Sequence, residues 1–175
     1  WDLPVHYGNK YINKRDFMDL RKASIDKTIN SKVLSDKLSG LKWISCLQPN
    51  NPNKEVKQLL EVMQIIKSDN SNKSIITDYQ FISVALSIYD FSQSHVWFIN
   101  HVANQKRDSK FYKIYKDFFI KNLKENKIKK AYVVKPLWGG NEVFENGLSL
   151  DCFKKEKITE ILNVYLLKEC DELKD

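Results

Sequence analysis

Glycine and proline are scarce in this chain of 175 residues, with five glycines and four prolines. That scarcity excludes a loop-dominated or low-complexity protein. No run approaches the roughly 18 consecutive apolar residues that predict a membrane-spanning helix, and we recognise no secretory signal within it. The first residue is Trp1 rather than Met, so we expect the chain to be part of a longer protein.

Cysteine and histidine are equally rare, with three residues of each. Cys46, Cys152 and Cys170 form no CxxC pair, and the histidines do not fall at zinc spacing. No P-loop, GxGxxG or GxSxG motif is present either, so the sequence predicts neither a metal site nor a cofactor. Cys46 lies in an apolar run and is interpreted as a buried thiol. A disulfide between Cys152 and Cys170 is geometrically possible, but sequence alone does not establish it.

Arginine is the third scarcity. Arg15, Arg21 and Arg107 are the only three, while lysine supplies nearly all of the net charge of +7. Because arginine is the better fork for phosphate, nucleic acid is not an expected partner. We interpret most lysines as solvated surface residues, with anionic lipid or an acidic ligand left open as partners of the basic surface.

Hydrophobic residues make up 42% of the chain and aromatic residues 12%, enough for a full core in one domain over residues 1–175. Residues 1–12 are interpreted as an entry segment. The stretch Lys73–Tyr89 organises the rest. Its β-branched run at Ser74–Thr77 predicts a buried strand, Asp78-Tyr79-Gln80 predicts a turn, and the apolar residues that follow predict a helix.

Alternating strand and helix signals predict an α/β fold, in the form of a three-layer sandwich around a mostly parallel, Rossmann-like sheet of four or five strands. The strand at 41–47, the helix at 53–67 and the strand at 74–77 form a predicted βαβ unit. Further helices are predicted at 13–23, 24–40, 109–125 and 152–162, and further strands at 128–135 and 164–169. In the helix at 109–125, the predicted core residues are Phe111, Ile114, Tyr115, Phe118, Phe119 and Leu123.

Ligands bind beyond the carboxyl ends of parallel strands, and this rule selects the candidate binding residues. One group follows the strand at 74–77, and a second follows the strand at 128–135. A third lies in the long segment at 90–108, because loops of that length are usually functional or mobile. The candidates are Asp78, Tyr79, Gln80, Trp97, His101, Lys135 and Trp138, none of them with an assigned catalytic role.

Each candidate also has a plainer interpretation. Asp78 is favoured as a helix N-cap over a catalytic group, and His101 as an ordinary loop histidine. Trp97 and Trp138 can form a sugar-sized platform or pack against each other. A nuclease-like site could pair Asp78 with Lys135 on neighbouring strands, but the second carboxylate that its metal needs is missing beside Lys135.

Five segments resemble a known family: Gly40-Leu-Lys-Trp-Ile-Ser, Ile75-Ile-Thr-Asp-Tyr-Gln-Phe-Ile-Ser, Phe118-Phe-Ile-Lys-Asn-Leu, Cys152-Phe-Lys-Lys-Glu-Lys-Ile-Thr-Glu-Ile-Leu and Tyr165-Leu-Leu-Lys-Glu-Cys170. They resemble the carboxy-terminal soluble domain of polytopic bacterial membrane proteins of the glycosyltransferase-like, lipid-phosphosugar-dependent kind. The resemblance covers most of residues 10–172. Residues 96–101 depart from the family's Trp-Tyr-Thr and glycine-rich loop.

The resemblance implies a place and a role. The domain would follow the last transmembrane helix, on the periplasmic face of the inner membrane, with Trp1 near the interface and a disulfide between Cys152 and Cys170. The catalytic carboxylate of such enzymes lies among the membrane helices, so this part would carry no complete active site. Its expected partners are the transmembrane part of its own chain and a lipid-linked sugar or anionic membrane surface. The alternatives are a nuclease-like enzyme and a protein-interaction domain.

Overall fold

A computed structural model of the chain describes residues 25–45, 48, 51–92, 105, 107–135 and 143–174. The predicted helix at 13–23 and the predictions for Cys46, Trp97, His101 and Trp138 fall outside these residues. The chain divides into two compact units, Trp1–Glu61 and Val62–Asp175, and the boundary between them falls inside a helix. The single domain over residues 1–175 stays a prediction.

The first unit contains short turns and a small two-stranded sheet. Strand β1 (Ile29–Asn30) pairs antiparallel with β2 (Lys42–Trp43). The predicted helix at 24–40 is wrong, because the side chains of Asn30 and Ser35 accept hydrogen bonds from backbone amides two residues ahead. Such local bonds compete with a continuous helix. Three 3-10 turns form instead, at Ile25–Lys27, Ser31–Val33 and Asp36–Leu38.

Helix α1 (Pro52–Ser68) is confirmed. Pro52 occupies the first helical position, where a missing backbone amide leaves no helical bond unmade. Within the first unit, Glu55 accepts a hydrogen bond from the indole nitrogen of Trp43 at 3.1 Å. The predicted strand at 41–47 is only the two residues of β2 in the described part of the chain. Because β2 pairs with β1 outside the larger sheet, the predicted βαβ unit is wrong.

The second unit is centred on a sheet of four strands: β3 (Lys73–Thr77), β4 (Lys130–Val134), β5 (Phe153–Lys157) and β6 (Leu162–Leu167). Their order is β3-β4-β6-β5. β3 and β4 are parallel, whereas β6 runs antiparallel to both β4 and β5. The α/β class and a four-stranded sheet are confirmed. The mostly parallel, Rossmann-like arrangement is wrong for the described strands, because only one neighbouring pair is parallel.

Strand β5 accounts for this difference, since it lies where a helix was predicted at 152–162. Its sequence, Phe-Lys-Lys-Glu-Lys, is rich in helix-forming residues, but β5 is an edge strand, where charged side chains are tolerated. The amides of Ile158 and Thr159 donate to the carbonyl of Leu162, which closes a hairpin into β6. A hairpin joins antiparallel strands, so β5 and β6 run in opposite directions. β6, which lies between β4 and β5, is antiparallel to both of them.

Two helices cover one face of this sheet, α3 (Tyr112–Glu125) and α4 (Val143–Gly147). Gly147 permits a close approach, because a Cβ there would lie 2.5 Å from the ring of Phe119. Helix α3 is confirmed, but Phe111, Ile114 and Phe118 are exposed rather than in the core. The buried cluster on this face is Ile76, Phe119, Leu123, Ile128, Ala131, Val133, Phe144, Leu148, Cys152, Phe153, Tyr165 and Cys170.

Residues 90–92 cover the outer edge of β3. They follow the short helix α2 (Phe81–Leu86). The amide of Phe91 donates to the carbonyl of Lys73 at 3.0 Å, and a carboxylate oxygen of Asp90 accepts the amide of Ile75 at 2.8 Å. The hydroxyl of Ser92 donates to the carbonyl of Ile75 at 2.6 Å. Backbone groups that an edge strand normally leaves open are therefore satisfied.

Candidate functional site

The carboxyl edge of the parallel pair carries the predicted turn. Asp78, Tyr79 and Gln80 follow β3, and Lys135 follows β4. The register aligns Thr77 with the last residue of β4, so Asp78 and Lys135 occupy neighbouring positions on adjacent strands. All four residues are partly exposed. The candidates Trp97, His101 and Trp138 lie outside the described residues.

Thr77 holds this turn in place. Its side-chain oxygen accepts the amide of Tyr79 at 3.0 Å, and its carbonyl accepts a hydrogen bond from the Gln80 side chain. The N-cap position of α2 is Gln80, which makes no side-chain capping bond. The helix boundary thus lies two residues after Asp78, and a capping role for Asp78 stays a prediction. Among the described residues, no group of three histidine, cysteine or acidic side chains is placed to hold a metal ion.

A polar cluster lies at the end of α1, on the sheet face opposite α3. One carboxylate oxygen of Asp69 accepts the hydroxyl of Tyr132 at 2.6 Å and lies 3.3 Å from the ammonium of Lys130. Burial acts to raise the pKa of Asp69, but the hydrogen bonds from Tyr132 and Ser71 outweigh it and hold that pKa well below its ordinary value. Burial and the bond to Asp69 raise the pKa of Tyr132. Because these groups bond to one another, the cluster joins the end of α1 to β4 and thereby stabilises the fold.

A second cluster joins α4 to the sheet. One carboxylate oxygen of Glu145 accepts the hydroxyl of Tyr165 at 2.7 Å and the ammonium of Lys155 at 2.8 Å. Burial raises the pKa of Tyr165 to about 12. The other carboxylate oxygen of Glu145 is buried with no hydrogen-bond partner among the described residues. The phenol and the carboxylate thereby fix α4 to the sheet.

A basic groove lies at the other end of the strands from the turn at Asp78-Tyr79-Gln80, where β4 begins and β6 ends. We call it the lysine groove. Its floor is apolar, from Leu123, Ile128, Leu167 and Leu173. Four lysines line it, Lys124, Lys127, Lys129 and Lys168, with Glu169 as the one carboxylate. Its volume is about 350 Å³. Within the described chain, Lys127, Lys129 and Lys168 have no ion-pair partner, so their charges are available to a ligand.

The disulfide predicted from the resemblance anchors the segment after β6, which lines one wall of the lysine groove with Lys168, Glu169 and Leu173. Cys152 and Cys170 are bonded, with their Cα atoms 5.1 Å apart. The amide of Lys168 donates to the carbonyl of Cys152 at 2.8 Å, and the amide of Leu173 donates to the carbonyl of Cys170 at 3.0 Å. The segment that contributes Lys168, Glu169 and Leu173 is thus anchored at the sulfur bridge.

Glu172 secures the same segment to α3. Its carboxylate accepts the ammonium of Lys116 at 2.8 Å and the hydroxyl and amide of Ser149 at 2.6 and 3.1 Å. Burial acts to raise the pKa of Glu172, but the bonds from Lys116 and Ser149 outweigh it and lower the pKa. The groove wall therefore rests on a covalent bond and an ionised carboxylate.

Sequence reasoning missed the lysine groove. Its lysines come from the end of α3, the turn before β4 and the segment after β6, so no local pattern joins them. The pattern of lysines along α3 predicts a solvated face, not a binding site. The one available signal was the pair of cysteines, which brings the last of these segments to the sheet.

The described residues contain no helix that is both long and apolar enough to cross a bilayer. The disulfide is compatible with an extracytoplasmic location, because such bonds persist in oxidising compartments. Comparison with known proteins adds no relative to this geometry: no protein-family model, no curated protein and no solved structure matches the chain.

Proposed function

We propose that this chain is the extracytoplasmic accessory domain of a membrane-bound glycosyltransferase, and that it recognises an anionic group, such as the phosphate of a lipid-linked sugar, in the lysine groove. The observation that carries the proposal is the set of unpaired lysines over an apolar floor. Ammonium groups form strong charge-assisted hydrogen bonds to phosphate oxygens. The apolar floor suits the less polar part of the same ligand.

Two further observations support an accessory role. The carboxylates of Asp69, Glu145 and Glu172 are engaged in bonds that hold the fold together, so they are not offered to a substrate. The disulfide that anchors the groove wall is suited to the periplasm. The catalytic groups and the lipid-facing helices would come from the transmembrane part of the parent chain, which is the domain's proposed partner.

The binding test uses inorganic pyrophosphate as the probe, titrated into the purified chain and followed by calorimetry. The variant Lys127→Gln/Lys168→Gln removes two groove charges, and Lys154→Gln/Lys157→Gln removes two from the exposed edge strand β5 as the matched control. We expect the groove variant to bind at least about tenfold more weakly, because each lost charge-assisted bond is worth about 1.5 kcal/mol or more. The control should bind as the unchanged chain does. Equal binding by both variants would overturn the proposal.

Activity of the full-length parent separates recognition from catalysis. There, the groove variant is expected to raise KM for the lipid-linked sugar while leaving kcat close to its original value. A fall in kcat with an unchanged KM would instead place these lysines in the chemical step.

One observation favours a second function, a nuclease-like activity. Asp78 and Lys135 occupy neighbouring register positions on parallel strands, as the pairing of a metal-binding carboxylate with a lysine requires. Metal-dependent cleavage of a nucleic acid, abolished in Asp78→Ala and retained in the groove variant, would support this function. Absence of cleavage with Mg²⁺ and with Mn²⁺ would exclude it.

A further inference from the structure

Helix α3 exposes an apolar row that the fold does not use. Phe111, Ile114 and Phe118 are 53%, 70% and 54% exposed. Their spacing places them on one line along the helix, away from the buried Phe119 and Leu123. A surface helix normally directs one apolar stripe into the core and keeps its opposite face polar. This helix therefore has two apolar stripes, and only one of them is covered by the sheet.

Lysines adjoin the exposed row. Lys110 precedes the helix, and its ammonium lies 4.8 Å from the centre of the Phe111 ring. Lys113 and Lys121 lie on the neighbouring row, where they pair with Asp117 at 3.4 Å and Glu125 at 3.7 Å. Both pairs are well exposed, so they hold these lysines only weakly. Lys124 adds a further charge next to them, which gives the surface an excess of positive charge.

An exposed aromatic ring also lies outside the helix, on the segment that Asn122 contacts. The side-chain amide of Asn122 donates to the carbonyl of Phe91 at 2.6 Å. The ring of Tyr89 packs on that of Phe91, with centroids 4.5 Å apart, and Tyr89 is itself 75% exposed. A second exposed aromatic ring is therefore linked, through Phe91 and Asn122, to the last turns of α3.

We propose that this surface, defined by the exposed row of Phe111, Ile114 and Phe118, docks the domain onto an anionic bilayer. Aromatic and aliphatic side chains bordered by lysines are the pattern of helices that lie in a membrane interface. A second copy of the chain is disfavoured as the occupant, because its lysines would meet these lysines. The apolar row shares no residue with the lysine groove, although Lys124 borders both, and the inference stands whatever the groove binds.

Vesicle flotation tests this inference with the disulfide-bonded chain. The vesicles are pure phosphatidylcholine in one series and phosphatidylcholine mixed with phosphatidylglycerol in the other. We expect binding to the anionic vesicles and at least about tenfold weaker binding to the neutral ones, since each lysine near an anionic surface adds about 1 kcal/mol. Equal binding to both, or no binding to either, would overturn the inference.

The variant Ile114→Ser/Phe118→Ser tests the apolar row itself. Both side chains are exposed, so the fold should be retained, and vesicle binding should fall at least about tenfold. Ile158→Ser is the control, because Ile158 is also exposed but lies with Ile65 and Tyr132 on the opposite face of the sheet. Full binding by the double variant overturns the inference. A dimer of the unchanged chain, seen in sedimentation and lost in the double variant, would assign the surface to a second copy instead.

Discussion

The ammonium of Lys73 donates a hydrogen bond to the backbone carbonyl of Ile66, 3.1 Å away, and another to the carbonyl of Asp69. A buried lysine at the start of β3 thereby satisfies carbonyl groups at the end of α1, where the helix dipole favours a positive charge. Burial lowers the pKa of Lys73, although the nearby Asp69 charge opposes that shift.

Replacing Lys73 with methionine is expected to destabilise the chain by about 1 to 3 kcal/mol, because the carbonyls would lose a donor while the buried volume stays similar. Urea unfolding of Lys73→Met measures the change. Lys67→Met is the control, since Lys67 is an exposed residue in the last turns of the same helix. A methionine variant as stable as the unchanged chain would show that the charge is only tolerated at this position.

Reducing the disulfide between Cys152 and Cys170 should lower the free energy of unfolding by about 3 kcal/mol, as expected for a bridge between residues 18 positions apart. It should also weaken pyrophosphate binding, because the segment with Lys168 and Leu173 loses its anchor. A thiol count on the denatured, unreduced chain checks the premise and should find one of the three cysteines free. Three free thiols would contradict it.

Stability should fall in acid partly through Glu172. Its folded pKa lies below the value of 4.5 that an unperturbed glutamate has in the unfolded chain, so between the two pKa values the unfolded chain binds more protons than the folded one. The stabilising contribution is therefore complete above pH 4.5 and is lost as the pH falls through the folded pKa. Urea midpoints at neutral and acidic pH should show a smaller acid loss for Glu172→Gln than for the unchanged chain. An identical acid loss in both would remove Glu172 from this role.

Gly147→Ala should destabilise the chain by about 1 to 3 kcal/mol, because the added Cβ would lie 2.5 Å from the Phe119 ring. Replacing the Phe119 ring with the smaller leucine side chain should relieve the clash. The double variant Gly147→Ala/Phe119→Leu should therefore lose less stability than the sum of the losses in the two single variants. Gly40→Ala provides the comparison, since Gly40 has open space around it but a φ of +85°. Its cost is backbone strain, which Phe119→Leu cannot relieve.

Apolar spacing predicted the helices that bury one face, and short continuous apolar runs predicted the strands that are buried on both faces. Helix α1, helix α3 and strands β3, β4 and β6 follow these two patterns of the sequence. Strand β5 was missed because an edge strand with Lys154, Lys155 and Glu156 has no apolar alternation, and its lysines and glutamate also favour a helix. Without β5, the sequence does not reveal the hairpin with β6, and the mixed parallel and antiparallel sheet could not be predicted.

The candidate site, too, could be predicted only where it depends on neighbouring strands. The position of Asp78 beside Lys135 could be predicted, because it depends on two neighbouring strands. The lysine groove could not, because its lysines meet only through tertiary contacts. The aromatic row of α3 was assigned to the core because spacing shows that residues share a face, and it does not show what covers that face.

The segment at residues 90–92 has a consequence for behaviour at high protein density. Sheets with open edges can recruit strands from neighbouring molecules and aggregate. Here one edge is closed by Asp90 and Ser92, and the other presents the lysines of β5. A domain crowded among identical copies would therefore stay separate from them, with its lateral contacts left to side chains rather than to backbone pairing.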